Sequence, residues 1–129
     1  MKKAVFLVTL LLTSAVFAYK DYKLGGQYDC EGNEIGTGNV FKCTLTIKKT
    51  GETYASMAIC DNGNAYTGTG IYDANTHFLS SGFINPKKLD ETGIAMSHVK
   101  RDGSMESTWT YINKTTIART RCIPHEKAK

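Results

Sequence analysis

This chain is poor in the residue patterns that carry chemistry. It has no C-x-x-C pair, no G-x-S-x-G elbow, and only three histidines. The first absence removes the usual zinc-ligand and dithiol signatures. The second leaves no strained turn to present a serine nucleophile. Proline occurs only at positions 86 and 124, both outside the expected strands, so hydrogen-bonded ladders can run unbroken. No stretch repeats its apolar residues at a period of 3.6, so little helix is expected. Beyond residue 18 no segment is long and apolar enough to span a bilayer. An excess of one charge is also missing. The formal net charge is +4, and setting aside Lys2 and Lys3 leaves 14 basic against 12 acidic residues, or +2. Lys48-Lys49, Lys87-Lys88 and Lys100-Arg101 sit at turns, a dispersed pattern that makes no footprint for nucleic acid or an anionic membrane.

What is present begins with an export signal. Lys2 and Lys3 precede an apolar run from Ala4 to Phe17, interrupted only by Thr9, Thr13 and Ser14. Val16-Phe17-Ala18 places small residues where a signal peptidase reads, so cleavage after Ala18 is expected. Removing residues 1–18 leaves a single domain, 19–129, of 111 residues. That length supports one core but stands to gain from covalent bridges. The expected destination is the periplasm or the outside of the cell, with no membrane insertion after cleavage.

All four cysteines, Cys30, Cys43, Cys60 and Cys122, lie in the exported part. An even number in an oxidising compartment reads as two disulfides, with three possible pairings. If KTGE is a four-residue loop, Lys48 faces Thr53, Cys43 faces Ala58, and Cys60 becomes the diagonal neighbour of Cys43 on the same sheet face. Cys30 then joins Cys122, the first strand meeting the last. Cys43–Cys60 with Cys30–Cys122 is the favoured pattern, and no metal site or cofactor is expected.

The rest of the chain is a train of short half-apolar stretches between turn signals. Strands are expected near 27–31, 40–48, 53–60, 64–72, 77–83, 94–100, 104–111 and 115–122. Residues 19–26 form a loose arm, and 32–39 and 85–93 form loops. Alternation is clearest at Phe41, Cys43, Leu45 and Ile47, which face one way while Lys42, Thr44, Thr46 and Lys48 face the other. Asn62-Gly63 reads as a two-residue type I′ hairpin turn, and Asp102-Gly103 is similar. The expected fold is all-β, a small antiparallel up-and-down barrel of about eight strands stabilised by disulfides, with a β-sandwich as the alternative.

The words GQYDCEG (26–32), FKCTLTIKKTGETY (41–54), AYTGTGI (65–71) and DGSMESTWT (102–110) resemble a family of small exported bacterial domains. The resemblance covers most of the mature chain and implies a compact β-barrel without a known catalytic apparatus. The chain departs from the family near its end, where Ile117-Ala118-Arg119-Thr120 replaces a more usual glycine-threonine-glutamate ending. Tyr28-Asp29-Cys30 followed by a hairpin train is also similar to the periplasmic C-type lysozyme inhibitors. Their serine-rich S-G-x-x-Y word has no clean counterpart here.

No nucleophile is paired with a base. His77 and His98 fall on neighbouring expected strands near Ser80, Ser81 and Ser97, a coincidence any β-rich chain offers. Alternation places Glu106 and Trp109 on opposite faces. Counting around a two-residue Asn62-Gly63 turn makes Ala58 face Thr67 and Ser56 face Thr69. That face also carries Tyr54, Cys60 and Ile71. Facing inward, it lines the barrel with small, partly polar residues that either leave a pocket or make room for a neighbour such as Trp109. Ser56, Thr67, Thr69 and Trp109 are the candidate ligand-binding residues. The functional expectation is a monomeric, non-enzymatic exported binding protein whose partner is a small molecule or a protein. The alternative is an inhibitor of a secreted enzyme such as lysozyme, working through loop 32–39 or 85–93.

Overall fold

Period-two alternation and closely spaced turns lay the chain down as strands. The computed structural model describes residues 22–125, and the expected signal segment 1–18 lies outside the described residues. The strands are β1 (Gly26–Asn33), β2 (Val40–Thr50), β3 (Thr53–Cys60), β4 (Ala65–Asp73), β5 (Phe78–Asn85), β6 (Lys88–Val99), β7 (Met105–Tyr111) and β8 (Ala118–Pro124). Each pairs antiparallel with its successor, and β8 returns to β1. The sheet is thus a closed up-and-down barrel of eight strands, as expected, and not a sandwich. Closure satisfies the backbone groups that an open sheet would leave bare at its edges.

The two expected disulfides are present, with Cα–Cα distances of 4.0 Å for Cys30–Cys122 and 3.9 Å for Cys43–Cys60. Cys43 is directly opposite Cys60 rather than diagonal to it. The reason is the β2–β3 turn, which has two residues, Gly51-Glu52, between paired Thr50 and Thr53. Relative to a four-residue loop the register moves by two. An even shift keeps every side chain on its expected face.

The β3–β4 turn differs by one residue, and the consequence is larger. Cys60 N donates to Asn64 O at 2.9 Å and Gly63 N donates to Cys60 O at 3.1 Å, so the loop is Asp61-Asn62-Gly63. Gly63 has a φ of 86°, the left-handed residue that follows a type I turn in three-residue hairpins. Asp61 is held there by two bonds to Lys42, its N donating to Lys42 O at 2.8 Å and its Oδ1 accepting from Lys42 N at 3.1 Å. Ala58 therefore pairs with Tyr66 and Ser56 with Gly68. A one-residue slip turns a whole strand over. Tyr66, Gly68, Gly70 and Tyr72 face the interior, while Thr67, Thr69 and Ile71 are exposed. Asp102-Gly103 behaves the same way, its loop closed by Lys100 N donating to Ser104 O at 2.8 Å.

Two further expectations change. Residues 85–93 are not an open loop. Asn85 pairs with Lys88, and the Asn85 Oδ1 accepts Lys87 N at 3.0 Å across a tight turn containing Pro86. Pairing then resumes at Ile84–Thr92, leaving Leu89, Asp90 and Glu91 as a bulge in β6. The arm also packs. Leu24 is 2% exposed, Tyr28 Oη donates to Leu24 O at 2.6 Å, and Tyr22 stacks on His77 with ring centroids 3.9 Å apart. A barrel end needs a plug, and a lone leucine in a polar stretch carries no periodic signal. Leu24, Tyr28, Ile47, Leu79, Val99 and Met105 form the core at this end.

The Cys30–Cys122 bridge closes a span of 92 residues and Cys43–Cys60 one of 17. On the chain-entropy account these contribute about 4.6 and about 3 kcal/mol. Urea unfolding of the two double Cys→Ser variants is expected to show the larger loss for Cys30/Cys122. Equal or reversed losses would contradict an entropic origin.

Candidate functional site

Inward positions on the barrel fall into three layers. One end is the apolar core just described. The other is roofed by aromatic rings: Phe41–Trp109 at 6.1 Å, Phe83–Trp109 at 6.2 Å, Tyr66–Phe83 at 5.8 Å and Trp109–Tyr111 at 5.4 Å, all edge-to-face. The middle layer on β3–β6 is built from small residues, Ser56, Ala58, Gly68, Gly70, Ser81 and Ala95. Between roof and floor this leaves a cavity of about 160 Å³. Among the described residues no acidic or basic side chain lines it.

Of the residues expected from the sequence, Ser56 and Trp109 line this cavity. Thr69 does not: it is exposed on the outer face of β4. Thr67 borders the cavity but is itself exposed. Both corrections follow from the three-residue turn at Asp61-Asn62-Gly63. The residues missed were those on the opposite alternation, above all Tyr66 and Gly70, together with Ser81 and Phe83 on β5. One signal was available. Asp73 shares the alternation of Thr67 and Thr69, and a charged residue at the end of a strand marks its outer face.

The roof is held in place by hydrogen bonds. Trp109 Nε1 donates to Thr120 Oγ1 at 2.9 Å, which anchors the indole. Tyr66 Oη donates to Glu91 Oε1 at 2.9 Å, and Asn85 Nδ2 donates to the same oxygen at 2.9 Å. The β6 bulge turns Glu91 toward these partners, a common use of bulges. Burial pushes the Tyr66 hydroxyl far above its ordinary 10.0, and hydrogen bonds to Tyr111 and Glu91 act in the same direction. Burial also raises Tyr111.

The histidines and serines noted in the sequence are not brought together. His77 lies in the turn before β5 and shares a 2.8 Å hydrogen bond with Tyr72 Oη. His98 stacks on Phe78 at 4.8 Å. Ser80 is exposed, and Ser97 is buried against Ser107 at 2.7 Å. Glu106 points outward, 2.9 Å from Lys100 Nζ, while Trp109 points in. Among the described residues no group of three His, Cys, Asp or Glu side chains is placed to hold a metal ion. Also among the described residues, no helix is long and apolar enough to cross a membrane. In comparisons with known proteins the chain matches no family model, no curated protein and no solved structure.

Two predictions test the roof. A Cβ on Gly93 would strike Thr110 O and fall 2.6 Å from the Phe83 ring, whereas one on Gly82 meets only Gly93 O at 3.9 Å. Gly93→Ala is expected to cost about 1–3 kcal/mol by overpacking, and Gly82→Ala much less, read by urea unfolding. Alkaline pH tests Tyr66. Its folded pKa is raised, so near pH 10 the unfolded chain sheds the tyrosine proton while the folded one keeps it. Stability is then fully present below the unfolded value and falls as pH rises above it. Unfolding free energy measured from pH 8 to 11.5 should decline at the alkaline end, and less steeply in Tyr66→Phe.

Proposed function

We propose that the barrel is a non-enzymatic binding protein that holds a small hydrophobic molecule in its interior, acting as a monomer after export to the periplasm or beyond. The observation that carries this reading is the cavity itself. Interiors are normally close-packed, yet about 160 Å³ stands open beside Ser56, Ala58, Gly70 and Ser81. A concave, mostly apolar site with a few polar groups is the ordinary form of a small-ligand pocket. The N-terminal signal pattern and the resemblance to small exported bacterial barrels support the compartment. Two disulfides fit an oxidising environment.

Toluene and phenol serve as probes. Saturable uptake of either by the disulfide-bonded protein, followed by NMR chemical shifts of Leu45, Leu79 and Trp109, is the expected result. Ala95→Phe fills the space and should abolish it. Failure of both probes to bind, or uptake unchanged in Ala95→Phe, would sink the proposal.

A further inference from the structure

We infer that the cavity takes a neutral molecule of about one ring in size carrying a hydroxyl, such as a phenol. The inference rests on the interior being a binding site. Size sets the first limit. The cavity, about 160 Å³, is close to the engineered cavity of about 150 Å³ that admits benzene. One ring fits within that volume.

Charge sets the second limit. Among the described residues no Asp, Glu, Lys, Arg or His lines the space, so a carboxylate or ammonium would be desolvated there without a charged partner, at a cost. Ring shape follows from the wall. Phe41, Phe83, Trp109 and Tyr66 already meet edge-to-face at 5.8 to 6.2 Å, and a guest ring extends that packing.

Polarity sets the last limit. Several hydroxyls lining the cavity are engaged: Ser97 with Ser107 at 2.7 Å, Thr120 with the Trp109 indole at 2.9 Å, and Tyr66 with Glu91 at 2.9 Å. Tyr54, Ser56 and Ser81 differ, since among the described residues none of these three hydroxyls has a hydrogen-bond partner. Ser56 and Ser81 flank the same bare stretch of β4. A Cβ on Gly68 would lie 2.6 Å from Ser56 Oγ, and one on Gly70 would lie 3.2 Å from Ser81 Cβ. Each glycine leaves the serine beside it uncovered on the cavity side. A ligand hydroxyl can bond to either serine, as donor or as acceptor. A hydrocarbon of the same shape leaves both unpaired.

Phenol and toluene are nearly isosteric and separate the two cases. With the disulfide-bonded protein, Ser56→Ala/Ser81→Ala is expected to weaken phenol about tenfold, or 1.4 kcal/mol, and to leave toluene as tight or tighter. Benzoate should bind at least roughly a hundredfold more weakly than phenol in the parent protein. The single variants repeat the measurement if the double variant folds poorly. Equal effects of the double variant on phenol and toluene, or benzoate binding as tightly as phenol, would overturn the inference while leaving the interior a binding site. Absence of binding by phenol and toluene alike would remove both.

Discussion

Everything inside this molecule depends on β8 meeting β1. Until that pairing forms, the sheet has two bare edges and no interior. Once it forms, alternate side chains of all eight strands share one enclosed volume. Cys30–Cys122 spans that seam, with the two cysteines directly opposite in register. The same row of the sheet continues around the wall, because Cys30 also faces Cys43 and Cys43 faces Cys60. On the other side of the seam Cys122 faces Met105, which faces Val99. A belt of sulfur and branched apolar side chains thus runs across β3, β2, β1, β8, β7 and β6.

The remaining arc of the wall is built differently. β4 contributes Gly68 and Gly70 to the middle layer, and β3 and β5 contribute Ser56 and Ser81 beside them. Large rings are held at the two ends instead, Trp109 by Thr120 and Tyr66 by Glu91 at one, Tyr22 by His77 at the other. Rings pinned by hydrogen bonds or stacking are not free to drop into the middle. The cavity follows from that division, with small residues at mid-height and anchored aromatics above and below.

How much of this was legible in the sequence depended on parity. The strand train, the closed barrel and the cysteine pairing survive errors of two residues, because an even shift preserves the face of every side chain. Cys43–Cys60 came out correctly for this reason although the turn was read as two residues too long. The ligand-facing residues of β4 do not survive an odd error. Asn62-Gly63 reads equally well as the centre of a two-residue turn or as the last two positions of a three-residue one. The bonds that decide between them, Asp61 to Lys42, cross from another strand. Glu91 was illegible for a related reason. Pro86 and the polar residues after it read as a loop, and only the pairing of Asn85 with Lys88 shows that they belong to a bulged strand.

An open interior has a thermodynamic consequence. The apolar side chains around it lose packing contacts that a filled core would make, and the Cys30–Cys122 bridge, at about 4.6 kcal/mol on the entropic account, offsets part of that loss. The disulfides then have a role beyond general stability. A small barrel of ordinary packing lowers its free energy by collapsing onto a void, and the easiest collapse is a shift of one wall toward another. The two cross-strand bridges fix β8 against β1 and β2 against β3, which restricts sliding of the sulfur-rich arc toward Gly68 and Gly70. Covalent closure and an unfilled middle are then parts of one arrangement, in which the wall is kept from closing on the space it surrounds.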